Sequence, residues 1–155
     1  MFSCKKDNAD SAAAVTNTLT FGSVYNNVVM TGAVNGTKWQ LNAVIDLPAV
    51  GGFDRKLAFN VKFYQKPTVD GTYSIVTTEA GVLAASAMLY INYVDYNPSP
   101  TDNVSSSYFL KTGTTGVITV TMVGGKVSVK MDGLILTGNR DGIDKAGVAA
   151  DLIEN

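Results

Sequence analysis

Histidine is absent from the chain, and cysteine occurs once, at Cys4. Without histidine the protein lacks the side chain that titrates nearest neutral pH, along with the commonest general base and metal ligand. A single cysteine excludes an internal disulfide and any thiolate metal site built from this chain alone. Charge is scarce as well: Asp, Glu, Lys and Arg make up 16% of residues and the formal net charge is −1, against roughly 25% charged residues in an average soluble protein. Such a balance creates no long-range field for polyanions, so no nucleic-acid partner is expected. No apolar run reaches the length of a membrane-spanning helix. The carboxylates Asp46, Asp54 and Glu79 show no spacing that singles out the pair a glycosidase needs. Gly51-Gly52 and Gly124-Gly125 suit turns and have no helix start behind them, which leaves no phosphate-binding loop. The chain is therefore not expected to be an enzyme.

What the sequence does contain is alternation. In residues 116–137, two alternating runs flank Gly124-Gly125, the kind of two-residue connection that closes a β-hairpin. Setting Val123 opposite Lys126 pairs Met122 with Val127, Val120 with Val129 and Ile118 with Met131 on an apolar face. Thr121 with Ser128 and Thr119 with Lys130 fall on the polar one. After Met131 the apolar parity changes to Leu134 and Leu136, which places a bulge near Asp132-Gly133 or covers both faces there. A second hairpin is read over residues 27–45 with Asn35-Gly36 at its tip, so that Gly32 faces Trp39 and Met30 faces Leu41. Residues 47–55 have the Pro, Gly and Asp of a loop.

Further strands are expected over 57–65, 72–78, 82–96 and 104–110, and residues 146–153 suit a last strand better than a short helix. In all, an all-β fold is expected, an antiparallel β-sandwich or barrel of about nine strands with little or no helix. The 155 residues suffice for one domain, placed at 19–155.

Residues 1–18 read differently. Phe2-Ser3-Cys4-Lys5-Lys6-Asp7 sets a small residue before the cysteine and a polar, charged stretch after it. The order resembles the processing site of bacterial lipoproteins of the Bacteroidota, in which the cysteine is lipidated. The basic and apolar parts of a signal peptide are not in the sequence. The alanine-rich remainder, up to Thr18, suits a flexible tether. Taken with an N-G-x-x-W hairpin (Asn35, Gly36, Trp39), a P-x-x-x-G-T-Y turn (Pro67, Gly71, Thr72, Tyr73) and a late G-x-I-T-V hairpin, the chain resembles small Bacteroidota outer-membrane lipoproteins of uncharacterised function. The resemblance implies a β-domain tethered through Cys4 to the outer membrane, facing the periplasm or the exterior, and carries over no catalytic residue.

Two constellations stand out as candidate sites. Tyr90, Tyr96 and Tyr108 are expected to offer aromatic faces to a ligand, with Tyr90 and Tyr96 on one strand face and Tyr93 on the other. Asp95, Asn97, Asp102 and Asn103 gather hard oxygens in one loop, a possible calcium seat, and Asn139, Asp141 and Asp144 form a second such group. No other cofactor is expected. The function these features favour is a non-catalytic binding or accessory module of the cell envelope for a glycan, a peptide or a partner protein. The alternative is a structural subunit that assembles by adding or exchanging strands.

Overall fold

The computed structural model describes residues 14–96 and 104–155, with the side chains of residues 95, 96 and 104 outside that description. Its clearest element is the hairpin of β9 (Val117–Val123) and β10 (Lys126–Gly138). The pairs Val123↔Lys126, Met122↔Val127, Thr121↔Ser128, Val120↔Val129 and Thr119↔Lys130 form as expected. Both turn glycines have positive φ, +58° and +80°, the backbone that a two-residue turn needs to match the twist of its strands. Ile118, Val120, Val127, Val129 and Met131 are buried.

Past Met131 the ladder to β11 (Asp144–Ile153) is irregular, and the irregularity has a structure. Met131 pairs with Ala150, Leu134 with Val148 and Leu136 with Lys145. β10 therefore gains one residue between the first two pairs and β11 gains one between the next two. A left-handed glycine sits in each gain, Gly133 (φ +62°) and Gly147 (φ +67°), so two opposed bulges bend the ladder and return it to register.

The other strands are β1 (Thr18–Phe21), β2 (Ser23–Tyr25), β3 (Thr31–Asn35), β4 (Lys38–Val50), β5 (Phe53–Phe63), β6 (Gly71–Val76), β7 (Ser86–Tyr96) and β8 (Val104–Leu110). All eleven belong to one sheet in the order β2-β1-β11-β10-β9-β6-β7-β5-β4-β3, and β8 pairs with both β7 and β10. Among the described strands, β6 and β7 pair in parallel. Just past β11, Glu154 bridges to Met30, just ahead of β3. Asn155 N–H donates to Met30 O and Glu154 N–H to Val127 O, each at 2.8 Å. The hydrogen-bonded path thus leaves β3, passes through β4, β5, β7, β6, β9, β10 and β11, and returns to the residue before β3.

The fold is all-β as expected, but it is one curled sheet of eleven described strands whose path closes on itself, in place of a sandwich or barrel of about nine strands. Its interior is packed by side chains such as Phe59, Phe63, Leu41, Leu89, Ile91 and Leu136, all at or near zero exposure.

Three local expectations are corrected. Residues 47–55 are a hairpin tip, with β4 running to Val50 and β5 starting at Phe53 across Gly51-Gly52. A shift in the ladder between Leu47 and Val50 absorbs Pro48, and Arg55 Nε and Nη2 bond its carbonyl at 2.9 and 2.6 Å. In the first hairpin Asn35 pairs with Lys38 and Gly32 with Leu41, two residues off the expected register. An even slip preserves the faces, so Trp39, Leu41 and Ala43 still point inward. The side chain of Asn35 is held within the ladder by a 2.8 Å bond to Gln40 Oε1, which moves the turn onto Gly36-Thr37. The Trp39 indole still lies against Gly32, diagonally, where a Cβ would collide with it. Last, the apolar run from Val82 joins the sheet only at Ser86, behind a 3₁₀ turn at Glu79–Gly81.

Candidate functional site

The odd-numbered residues of β4, β5 and β7 face the core, so the even-numbered ones face outward, and these are unusual for a solvent face. The pairings Thr31↔Asn42, Asn42↔Asn60, Asn60↔Tyr90, Tyr90↔Phe109 and Phe109↔Thr137 set six residues in one row across β3, β4, β5, β7, β8 and β10. Beside it run Gln40, Lys62 and Met88 on one flank and Ala58, Asn92 and Ser107 on the other.

The amides of the row are fixed by one another. Asn60 Oδ1 accepts from Gln40 Nε2 at 2.8 Å and from Asn42 Nδ2 at 2.6 Å, while Asn60 Nδ2 donates to Ala58 O at 3.1 Å. The Tyr90 hydroxyl lies 3.4 Å from Gln40 Oε1. Tyr90 is on β7 and Gln40 on β4, with β5 between them. The ring must therefore lie down across Asn60, which explains why an outward-facing asparagine is only 3% exposed. Phe109 continues the tilt, its ring centroid 6.2 Å from that of Tyr90 at an interplanar angle of 28°. Together the two half-buried rings form a shingled apolar surface flush with the sheet.

Two polar atoms next to these rings make no hydrogen bond among the described residues. Asn42 donates through Nδ2 and leaves Oδ1 open. Asn92 accepts from Ser107 Oγ at 2.7 Å through Oδ1 and leaves Nδ2 open. Charge on this face is compensated. Lys62 Nζ meets Glu79 Oε2 at 3.0 Å, and Lys38 Nζ bonds Val82 O at 3.0 Å over the Tyr64 ring.

Beyond Phe109 the row runs into a hollow of about 460 Å³, lined in part by Thr77, Thr112, Thr137 and Asn139. Asn139 is pinned to β8 in both directions: its N–H donates to Ser107 O, and its Oδ1 accepts from Ser107 N–H, each at 2.9 Å. The Lys111 ammonium and the Thr137 hydroxyl hold the Asp144 carboxyl below its usual range.

Tyr108 points the other way. It is 4% exposed, packs edge-on against Phe21 at 5.0 Å and donates to Asp141 Oδ2 at 2.6 Å. Burial first, and then the Asp141 carboxylate, push its phenol up to about 12. Asp141 is held low, chiefly by that same bond.

The three expected tyrosines are thus not one surface: Tyr90 lies on the outer face, Tyr108 props the interior, and the side chain of Tyr96 lies outside the described residues. So do Cys4, Asn97, Asp102, Asn103 and the Asp95 side chain, and with them the first calcium seat. The second group is described, and its oxygens already accept from protein donors, Asn139 from Ser107, Asp141 from Tyr108 and Ile143, and Asp144 from Lys111 and Thr137. Sequence reading missed Gln40, Asn42, Asn60, Asn92 and Phe109. The alternation that turns them outward was visible, but nothing in it says which strands are neighbours. A scan of family models, a search of curated proteins and a search of solved structures each found no match.

Proposed function

We propose that the protein is a lipid-anchored, non-catalytic binding module of the bacterial cell envelope. It holds a glycan, a peptide or a partner protein against the outer face of β4, β5, β7 and β8. The observation that carries this assignment is the locked row Asn42, Asn60, Tyr90, Phe109. A solvent face needs no rings laid flat and no amides fixed in advance, whereas a ligand site profits from both because little side-chain freedom is left to lose on binding. The anchor rests on the sequence around Cys4 and on the resemblance to outer-membrane lipoproteins.

Titration of the ¹⁵N-labelled protein with neutral oligosaccharides, flexible peptides and solubilised envelope proteins, each in turn, tests the module. Shifts centred on Asn42, Asn60, Asn92 and Phe109 are expected with one class. Shifts confined to other surfaces would overturn the assignment. For the anchor, palmitate incorporation in a bacterial host should vanish in Cys4→Ala, and equal labelling would remove it.

A second reading, assembly through strand addition, is favoured by β3. Among the described residues it pairs only with β4, and it contains neither charge nor proline, the usual guards of an open edge. Val34 on it is 77% exposed. Concentration-dependent oligomers abolished by Val34→Lys would support this reading.

A further inference from the structure

Building on the binding-module assignment, we infer that the ligand of the outer face is a neutral saccharide chain, laid over Tyr90 and Phe109 with one end in the hollow beyond Phe109. Four features select this chemistry. The rings lie along the sheet, so they present faces, and a flat face with a polar rim suits the C–H side of a sugar ring. The open atoms beside them are one amide acceptor, Asn42 Oδ1, and one amide donor, Asn92 Nδ2. A sugar hydroxyl both donates and accepts and satisfies either.

Charge is the third selector. Lys62 is paired with Glu79 and Lys38 is tied to a carbonyl, which leaves no free cation or anion near the rings among the described residues to recognise an ionic ligand. Finally, the hollow beside Phe109 is lined by Thr77, Thr112, Thr137 and Asn139, which hydrogen-bond without imposing charge, and its two charged residues, Lys111 and Asp144, are paired with each other. An extended peptide fits less well. Its affinity comes from backbone bonds to a free strand edge, and here β4, β5 and β7 have neighbours on both sides.

The ligand lies across strands, because its platform does. Adjacent strands are about 4.8 Å apart, so a chain running from Asn42 to Thr137 crosses five strands of the sheet.

The full chain would be titrated by calorimetry and by ¹⁵N spectra with uncharged hexasaccharides of glucose, mannose and galactose. Polygalacturonate and a flexible uncharged peptide complete the panel. At least one neutral hexasaccharide should bind and shift Asn42, Asn92, Phe109 and Thr137 together. Asn42→Ala and Asn92→Ala should each weaken it about tenfold, the loss of one hydrogen bond to the ligand, measured at a temperature where the variants stay folded, because each also removes one bond within the row, Asn42 to Asn60 and Ser107 to Asn92. Phe109→Ala should weaken it more, and Phe109→Tyr, which keeps the ring face, should restore most of the binding. If the peptide or the polyanion shifts these residues and no neutral saccharide does, the saccharide inference falls while the binding face stands. If nothing in the panel reaches the face, the saccharide inference falls, and the binding face falls with it when the envelope proteins also fail to shift it.

Discussion

Tyr108 and Asp141 show how one contact sets two titrations of opposite sense. The phenol is raised to about 12, so the stability it lends is complete below its ordinary value near 10 and disappears as pH rises through 12. The carboxylate is lowered, so its share is present above its ordinary value of 3.8 and is lost as pH falls below it. Tyr108→Phe keeps the packing on Phe21 and removes the bond. Stability at neutral pH should fall by about 1 kcal/mol, and the highest step in an absorbance titration of the tyrosines should disappear. Retention of that step would show that another tyrosine carries it. Little of this was legible beforehand. Tyr108 alternates with Phe109 in the sequence, and only the pairing of β8 with both β7 and β10 decides which of the two rings faces inward.

Among the elements, β10 is the strand on which the sheet changes partners. On one edge it pairs with β9 as far as Lys130 and with β8 from Leu136, and the bulge at Gly133 lies in the gap. β7 makes the same exchange, with β6 at Ser86 to Met88 and β8 from Tyr90. Gly133→Ala places a side chain at φ +62° and should cost about 1 kcal/mol. Gly147→Ala should cost a similar amount, and in both variants hydrogen exchange should quicken at Leu134 to Thr137 while the β9–β10 turn stays protected. Uniform quickening would mean that the bulges do not act locally. The bulge on β10 could be read from the change of parity between Met131 and Leu134. Its counterpart on β11 could not, because Ala146, Val148, Ala150 and Leu152 keep their parity and Gly147 breaks no pattern. The first hairpin was misplaced by two residues for a related reason. Asn35-Gly36 is the stronger turn signal in isolation, and the bond from Asn35 to Gln40 that outweighs it depends on side chains, not on propensity.

For the whole molecule, alternation was enough to give an all-β fold, and it could not give the closure. That rests on Glu154, which accepts from Val127 N–H at 3.2 Å, meets Lys66 at 2.9 Å and joins Met30 by its backbone, with a side chain only 12% exposed. Glu154→Ala should lower stability by about 1–2 kcal/mol and speed amide exchange at Val127, Glu154 and Asn155, leaving the middle of β5 unchanged. The same geometry governs timing. β1 at Thr18–Phe21 docks on β11 at Asp144–Ile153, and Met30 waits for Glu154, so the early strands have no complete set of partners until the late ones arrive. Such long-range pairing folds on the order of milliseconds to seconds. A chain emerging N-terminus first, from a ribosome or through a translocation pore, would pair β1 with β2 and β3 with β4 early, but would leave the other edge of β1 and Met30 ahead of β3 unpaired until residues 149–154 are free. During that interval the unguarded edge of β3 is open to any strand nearby.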